Sequence, residues 1–96
     1  MPTFERALSF RVDYRTLSDE QRAIFKSAVR RFVEDLRLGS IRPGLRVKRV
    51  RKRPGVWEMT WVDDGRATFS YGRSIRDGEP HVIWRRVGTH DIFDNP

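Results

Sequence analysis

Cysteine is absent from the 96 residues, so disulfides and thiolate metal sites are excluded. Histidine occurs twice, at His81 and His90, and no carboxylate cluster accompanies either, which leaves no evident ligand set for a structural metal and no sign of a cofactor. No apolar run approaches the roughly 20 residues needed to span a bilayer. The opening MPTFERALSF lacks a basic stretch followed by a long apolar one, so the expectation is a soluble, cytoplasmic chain without a membrane partner. Repeats, low-complexity tracts and dividing linkers are missing too, and the length suits one domain over residues 1–96.

What is abundant is arginine. Of the 20 basic residues 17 are arginine, and the formal net charge is +7. The excess is local: residues 1–45 sum to +3, residues 54–96 to −2, and RVKRVRKR at 46–53 contributes +6 without an acid. Such a run is either a solvated edge strand kept from aggregating by its charge or a contact for a polyanion. Guanidinium groups favour the second when phosphates or carboxylates are the partner, because their forked donors match two oxygens at once.

The clearest periodicity lies between Val56 and Phe93. Trp57, Met59 and Trp61 alternate with Glu58 and Thr60, as in a strand with one buried face. Val62-Asp63-Asp64-Gly65 fits a hairpin turn, and Arg66 opens a second strand with Ala67, Phe69 and Tyr71 on one face. A turn-rich loop, Gly72 to Pro80, leads to a third strand from His81 to Val87. Arg85 and Arg86 lie on it, and strict alternation would send only one of them to the functional face. Upstream, Ser18 and Gln21 form a capping-box pattern, followed by Ile24/Phe25, Ala28/Val29, Phe32/Val33 and Leu36 at helical spacing, with Gly39 as the stop. A short strand near Phe4–Leu8 and a short helix from about Phe10 to Thr16, for which Ser9 is a possible cap, precede it. Leu45, Val47 and Arg49 share one face of a basic strand, with a bulge expected near Arg49. The expected fold is α+β: a short N-terminal strand, a helix pair, then a twisted antiparallel sheet of about four strands with the helices on one face.

The segments VWEMTW, RATFSYG and VIWRRVGTHDIF resemble the RelE/ParE superfamily of type II toxins, specifically over the last 40 residues and loosely in the helices. The resemblance implies a small basic protein held by a cognate acidic antitoxin, in a hetero-oligomer, and charge alone places that antitoxin over RVKRVRKR. In the RelE-like branch it implies ribosome-dependent endonucleolytic cleavage of messenger RNA; in the ParE-like branch it implies inhibition of gyrase without catalysis. A degenerate member would only bind its antitoxin. Outside the family, the charge run alone would suit a generic nucleic-acid-binding domain.

Metal-free RNA cleavage by 2′-hydroxyl attack needs a base, cations for the phosphorane and an acid for the leaving oxygen. The resemblance assigns the phosphate contact to Arg66 and proton transfer to His90, and makes Lys48 a third catalytic residue, to bind phosphate or, as a lysine of depressed pKa, to take part in proton transfer. It assigns RNA or phosphate binding to Arg46, Arg49, Arg51, Lys52, Arg85, Arg86 and Phe93. Phe93 stands where many relatives carry tyrosine, and Thr60 where many carry arginine; no carboxylate occurs between Ser40 and Lys52. The plainer alternatives are a salt bridge from Arg66 to Asp63 or Asp64, a turn contact between His90 and Asp91, a cross-strand ion pair for Glu58, a structural role for His81, and tryptophans that belong to the core.

Overall fold

The computed structural model describes residues 2–96. Strand β1 (Thr3–Arg6) leads into α1 (Leu8–Thr16) and α2 (Asp19–Leu38). A 3-10 turn (Pro43–Leu45) precedes β2 (Lys48–Arg49), β3 (Trp57–Thr60), β4 (Arg66–Gly72) and β5 (His81–Gly88), and a second 3-10 turn spans His90–Asp94. The fold is α+β, and the five strands form one mixed sheet in the order β1-β5-β4-β3-β2. The expected meander β3-β4-β5 is antiparallel, while β1 joins it in parallel beside β5, with Thr3 opposite His81 and Arg6 opposite Trp84. A parallel neighbour needs a long crossover, and the helix pair supplies it.

The long helix forms where its sequence signals stand. Ser18 Oγ accepts from Gln21 N at 3.1 Å, Gln21 Oε1 accepts from Ser18 N at 2.8 Å, and Asp19 and Glu20 sit at the positive end of the dipole. Gly39 closes α2 at φ 78°, with Gly39 N donating to Leu36 O and Ser40 N to Asp35 O, both bonds of a Schellman ending. α1 starts at Leu8, with Ala7 at its N-terminus. Ser9 is inside the helix, where its hydroxyl donates to Arg85 O at 2.7 Å and fastens α1 to β5 beyond the end of β1. Asp13, one turn on, accepts from Val87 N at 3.1 Å. Two side chains of α1 therefore satisfy backbone groups on the edge that β1 leaves uncovered.

The core lies between the helices and one sheet face. Phe10, Phe25, Phe32, Met59, Trp61, Phe69, Val82, Trp84 and Val87 are buried there. Phe25 meets Trp61 and Trp84 edge-on, each at 5.7 Å, and Phe32 meets Phe69 at 5.0 Å, the offset geometries that ring quadrupoles favour. Trp57 stays half-buried at the end of this face, edge-on to the exposed Tyr71.

Two expectations change. The bulge falls in the β4–β5 ladder: Thr68 pairs with Arg86 and Phe69 with Trp84, so Arg85 is the extra residue. The basic run is strand only at Lys48 and Arg49; Arg46 precedes it in a left-handed conformation, and the chain turns at Val50, where Val50 N donates to Val56 O at 2.9 Å. Arg51, Lys52 and Arg53 are thus on a hairpin loop.

Candidate functional site

Cross-strand register lays out the sheet face turned away from the helices. One row runs Lys48, Glu58, Thr68, Arg86, and the next but one along the strands runs Thr60, Arg66, Gly88. Lys48 and Arg66 are therefore two strands and two residues apart, about 12 Å between Cα atoms from strand spacing and rise. Lys48 Nζ lies 3.7 Å from Glu58 Oε1, and the Glu58 side chain is largely covered. The cross-strand ion pair of Glu58 forms with the lysine directly opposite.

Arg66 opens β4 from the Val62–Gly65 turn, closed by Gly65 N donating to Val62 O at 2.9 Å. Gly65 is needed for space rather than for positive φ: a Cβ there would lie 2.5 Å from Val62 Cγ1 and 2.6 Å from Trp61 Cε2. Arg66 Nη1 donates to the carbonyls of Asp63 and Gly65, both at 3.0 Å, instead of pairing with a carboxylate. Arg66 lines a pocket of about 320 Å³ together with Arg31 of α2, Arg46, Thr60, Trp61 and Asp63.

His90 follows β5 on the second 3-10 turn, whose first backbone donor, Asp91 N, is capped by Thr89 Oγ1 at 3.4 Å. Its Nδ1 is 3.1 Å from Asp64 Oδ1, and its ring meets Phe93 edge-on at 5.3 Å. Asp64, not the neighbouring Asp91, orients the imidazole. The hairpin that carries Arg66 thus also carries the partner of His90.

Phe93 lines a second pocket of about 490 Å³ with Arg51, Lys52, Arg53, Glu58 and Pro96. Arg53, absent from the sequence-based set, donates to Asn95 Oδ1 at 3.2 Å and ties the basic loop to the chain's last turn. Arg49 is directed to the helix side, its guanidinium 5.2 Å over the Trp57 ring. The candidate cations therefore divide among a rim pocket (Arg46, Arg66), the open face (Lys48), the Trp57 ring (Arg49) and the loop pocket (Arg51, Lys52).

Arg85 and Arg86 are both engaged within the chain. Arg86 Nε and Nη2 donate to Asp13 at 2.6 and 3.1 Å, and its Nη1 donates to Asn95 O at 2.9 Å. The hydrogen bonds to Asp13 hold the guanidinium pKa above its usual value. Arg85 Nε donates to Pro96 O at 3.2 Å. Strict alternation allows one of the two on this surface; the bulge at Arg85 breaks it, and both reach the final residues. His81 is buried, with Nδ1 2.7 Å from Thr3 Oγ1 and Nε2 2.7 Å from Glu5 Oε1, so it fastens β1 to β5. Two further residues do not stand out in the sequence. Arg31 carries no motif and reaches the rim pocket only through helix packing; Glu58 shows there only as an ion-pair member. No helix is long and apolar enough to cross a membrane, and no group of three metal-binding side chains forms, among the described residues.

No protein-family model matches this sequence, and no curated protein matches it either. Solved structures do match over nearly the whole chain. A YoeB/ParE toxin from Agrobacterium tumefaciens superposes with a TM-score of 0.66 at 11% identity, covering 92% of this chain and 98% of that one. The DinJ-YafQ complex of E. coli gives 0.63 at 13% identity, with 95% and 96% covered. The RelB-RelE antitoxin-toxin complex of Methanococcus jannaschii gives 0.59 at 18% identity, with 95% and 97% covered. The strand–helix pair–meander order of this chain is thus the fold shared with these solved toxin structures.

Proposed function

We propose that the chain is the toxin of a type II toxin–antitoxin pair, acting in the cytoplasm as a ribosome-dependent messenger-RNA endoribonuclease. The observation that carries the reading is the β3–β4 hairpin, which bears both Arg66 and the Asp64 carboxylate that orients His90 at 3.1 Å. With Nδ1–H donated to Asp64, the imidazole keeps Nε2 for proton exchange with substrate. The 2′-oxygen attacks the adjacent phosphorus as its proton passes to a base, and the 5′-oxygen leaves with a proton from an acid. The products are a 2′,3′-cyclic phosphate and a 5′-hydroxyl. His90 serves one of the two proton transfers, and Arg66, swung from its two carbonyl partners, stabilises the phosphorane. Lys48 adds positive charge from the open face, held by Glu58. Arg46, Arg49, Arg51 and Lys52 bind flanking phosphates, and Phe93 stacks on a base.

The partner is an acidic antitoxin that covers the basic loop. Support comes from similar structures that are toxin-antitoxin complexes, DinJ-YafQ and RelB-RelE. A second reading, a non-catalytic inhibitor of a protein target such as gyrase, is favoured by two observations: Arg66 is turned onto backbone carbonyls, and Phe93 has no hydroxyl.

Induced expression with mapping of 5′ ends on ribosome-bound transcripts separates them. Loss of one acid–base group or one oxyanion donor lowers cleavage about 100-fold or more, so Arg66→Ala and His90→Ala each suppress the new ends and restore growth. Growth arrest that survives both substitutions, with no new ends, selects the non-catalytic reading.

A further inference from the structure

In the proposed cleavage Glu58 serves only as the counter-charge of Lys48, and its surroundings point to a second task. Register places it on the sheet face turned away from the helices, opposite Lys48 on one side and Thr68 on the other. The second 3-10 turn lies on that same face: a Cβ at Gly88, opposite Arg66, would come within 3.0 Å of Ile92 Cγ2. The basic loop stands across from that turn and is tied to it, with Arg53 donating to Asn95 Oδ1 at 3.2 Å. Glu58 therefore rises between loop and turn, into the space of about 490 Å³ that it lines with Phe93.

Two observations indicate what this space accepts. The Glu58 side chain is only 12% exposed, yet among the described residues no donor reaches its carboxylate at hydrogen-bond distance; Lys48 Nζ stands off at 3.7 Å and is itself largely in solvent. A covered carboxylate without a donor is costly and marks a missing partner. The walls supply the second observation. Phe93 offers a ring for stacking and Arg51 and Lys52 offer cations at the rim, while the carboxylate inside repels any phosphate placed beside it. Asp94 also lines the space but is exposed, so water serves its oxygens.

We infer that this pocket reads a guanine base, with Glu58 as the residue that selects it. Guanine alone among the four RNA bases sets two N–H donors side by side on one edge, N1–H and the N2 amino group, and these match the two oxygens of a carboxylate. Adenine and cytosine set a donor beside an acceptor on that edge, and uracil flanks its single N–H with two carbonyls that repel Glu58. Phe93 stacks on the base, and Arg51 and Lys52 hold the phosphates on either side of it. The inference rests on RNA as the ligand, as in the reading above, and adds which nucleotide is preferred and which residue chooses it.

Non-cleavable 2′-O-methyl uridine pentamers with one central guanosine, adenosine or inosine provide the test, titrated with the full chain and followed by fluorescence anisotropy of a 5′ label. The guanosine pentamer is expected to bind about tenfold tighter than the adenosine one, and inosine, which lacks the N2 amino group, to lose most of that gain. A carboxamide sets a donor beside an acceptor, the complement of adenine, so Glu58→Gln reverses the order and prefers the adenosine pentamer. Asp94→Asn keeps the wild-type order. The inosine comparison needs no variant and so decides the matter even where Glu58→Gln folds poorly. Equal or unmeasurable affinities of wild type for the three pentamers overturn the inference, as does a guanosine preference that Glu58→Gln leaves intact or that Asp94→Asn abolishes. Mapped transcript ends keep the two questions apart: new ends without guanosine preference remove this inference alone, and guanosine preference without new ends removes catalysis alone.

Discussion

Arg86 is a phosphate-binding candidate on sequence grounds, and its geometry predicts a different phenotype. Its guanidinium donates twice to Asp13, which also accepts from Val87 N, and a third donor reaches Asn95 O. The pair is mostly covered, with side chains 24% and 16% exposed for Arg86 and Asp13. Breaking a fully buried pair costs about 3–5 kcal/mol, and partial exposure lowers this to about 2–3 kcal/mol for Asp13→Asn or Arg86→Gln. With a urea m-value of about 1 kcal/mol/M for a chain this small, either change moves the unfolding midpoint down by roughly 2 M. Because both remove the same bonds, the double variant falls short of the sum by about 1–2 kcal/mol. Arg86→Gln that is still folded should bind RNA with unchanged affinity. An unchanged midpoint with weakened RNA binding would refute the reasoning and return Arg86 to the nucleic-acid surface.

Gly65→Ala forces a Cβ within 2.6 Å of buried Trp61; overpacking of this kind costs about 2 kcal/mol, read as a melting temperature lower by roughly 10 °C. Thr68 is wholly buried, and its hydroxyl has no partner among the described residues, so Thr68→Val should stabilise by about 1 kcal/mol in the same assay. Asp35 is buried and accepts from Arg42 through both oxygens and from Arg42 N, bonds that hold its pKa below the usual carboxylate range. A lowered folded-state pKa gives stability that is complete above the unfolded value of about 3.9 and lost as pH falls through the folded one. Acid titration of unfolding should therefore show wild type above Asp35→Asn at neutral pH, with the gap closing below about pH 4. On the RNA-binding reading, Arg51→Gln with Lys52→Gln should reduce the slope of log affinity against log salt by about 1.4, or 0.7 for each phosphate that is no longer neutralised; an unchanged slope would remove the loop from the interface.

Local signals are strong enough in the sequence to place most elements. The Ser18–Gln21 box and Gly39 bound α2 because each satisfies backbone groups that the helix itself leaves open, a condition independent of the rest of the chain. The alternation around Met59 marks β3 because one of its faces is buried and the other is not. Non-local choices are less visible. Parallel pairing of β1 with β5 depends on two segments 78 residues apart, with His81 bonding Thr3 and Glu5, and periodicity within a strand says nothing of its neighbour. Ser9 looks like a helix cap from sequence and instead serves a strand carbonyl, because the edge of β5 beyond β1 needs a donor more than α1 needs a cap. The bulge at Arg85 escapes the sequence for the same reason: alternation is a property of one strand, and a bulge belongs to a pair.

The charge run shows why a site is harder to read than an element. Six cations in the eight residues from 46 to 53 look like one surface when counted along the chain. Folding separates them according to backbone conformation. The left-handed turn at Arg46 aims that residue into the rim pocket with Arg31 and Arg66. Alternation across the two-residue strand then sends Lys48 to Glu58 on one face and Arg49 to Trp57 on the other. The hairpin turn at Val50 leaves Arg51, Lys52 and Arg53 on a loop, where Arg53 anchors Asn95. The charge run is therefore a poor guide to where its cations stand on the surface. A polyanion that engages Arg46, Lys48 and the Arg51–Arg53 loop must cross the rim, the open face and the loop in succession, as an extended strand can and a compact acidic patch cannot, and it leaves Arg49 on the opposite face.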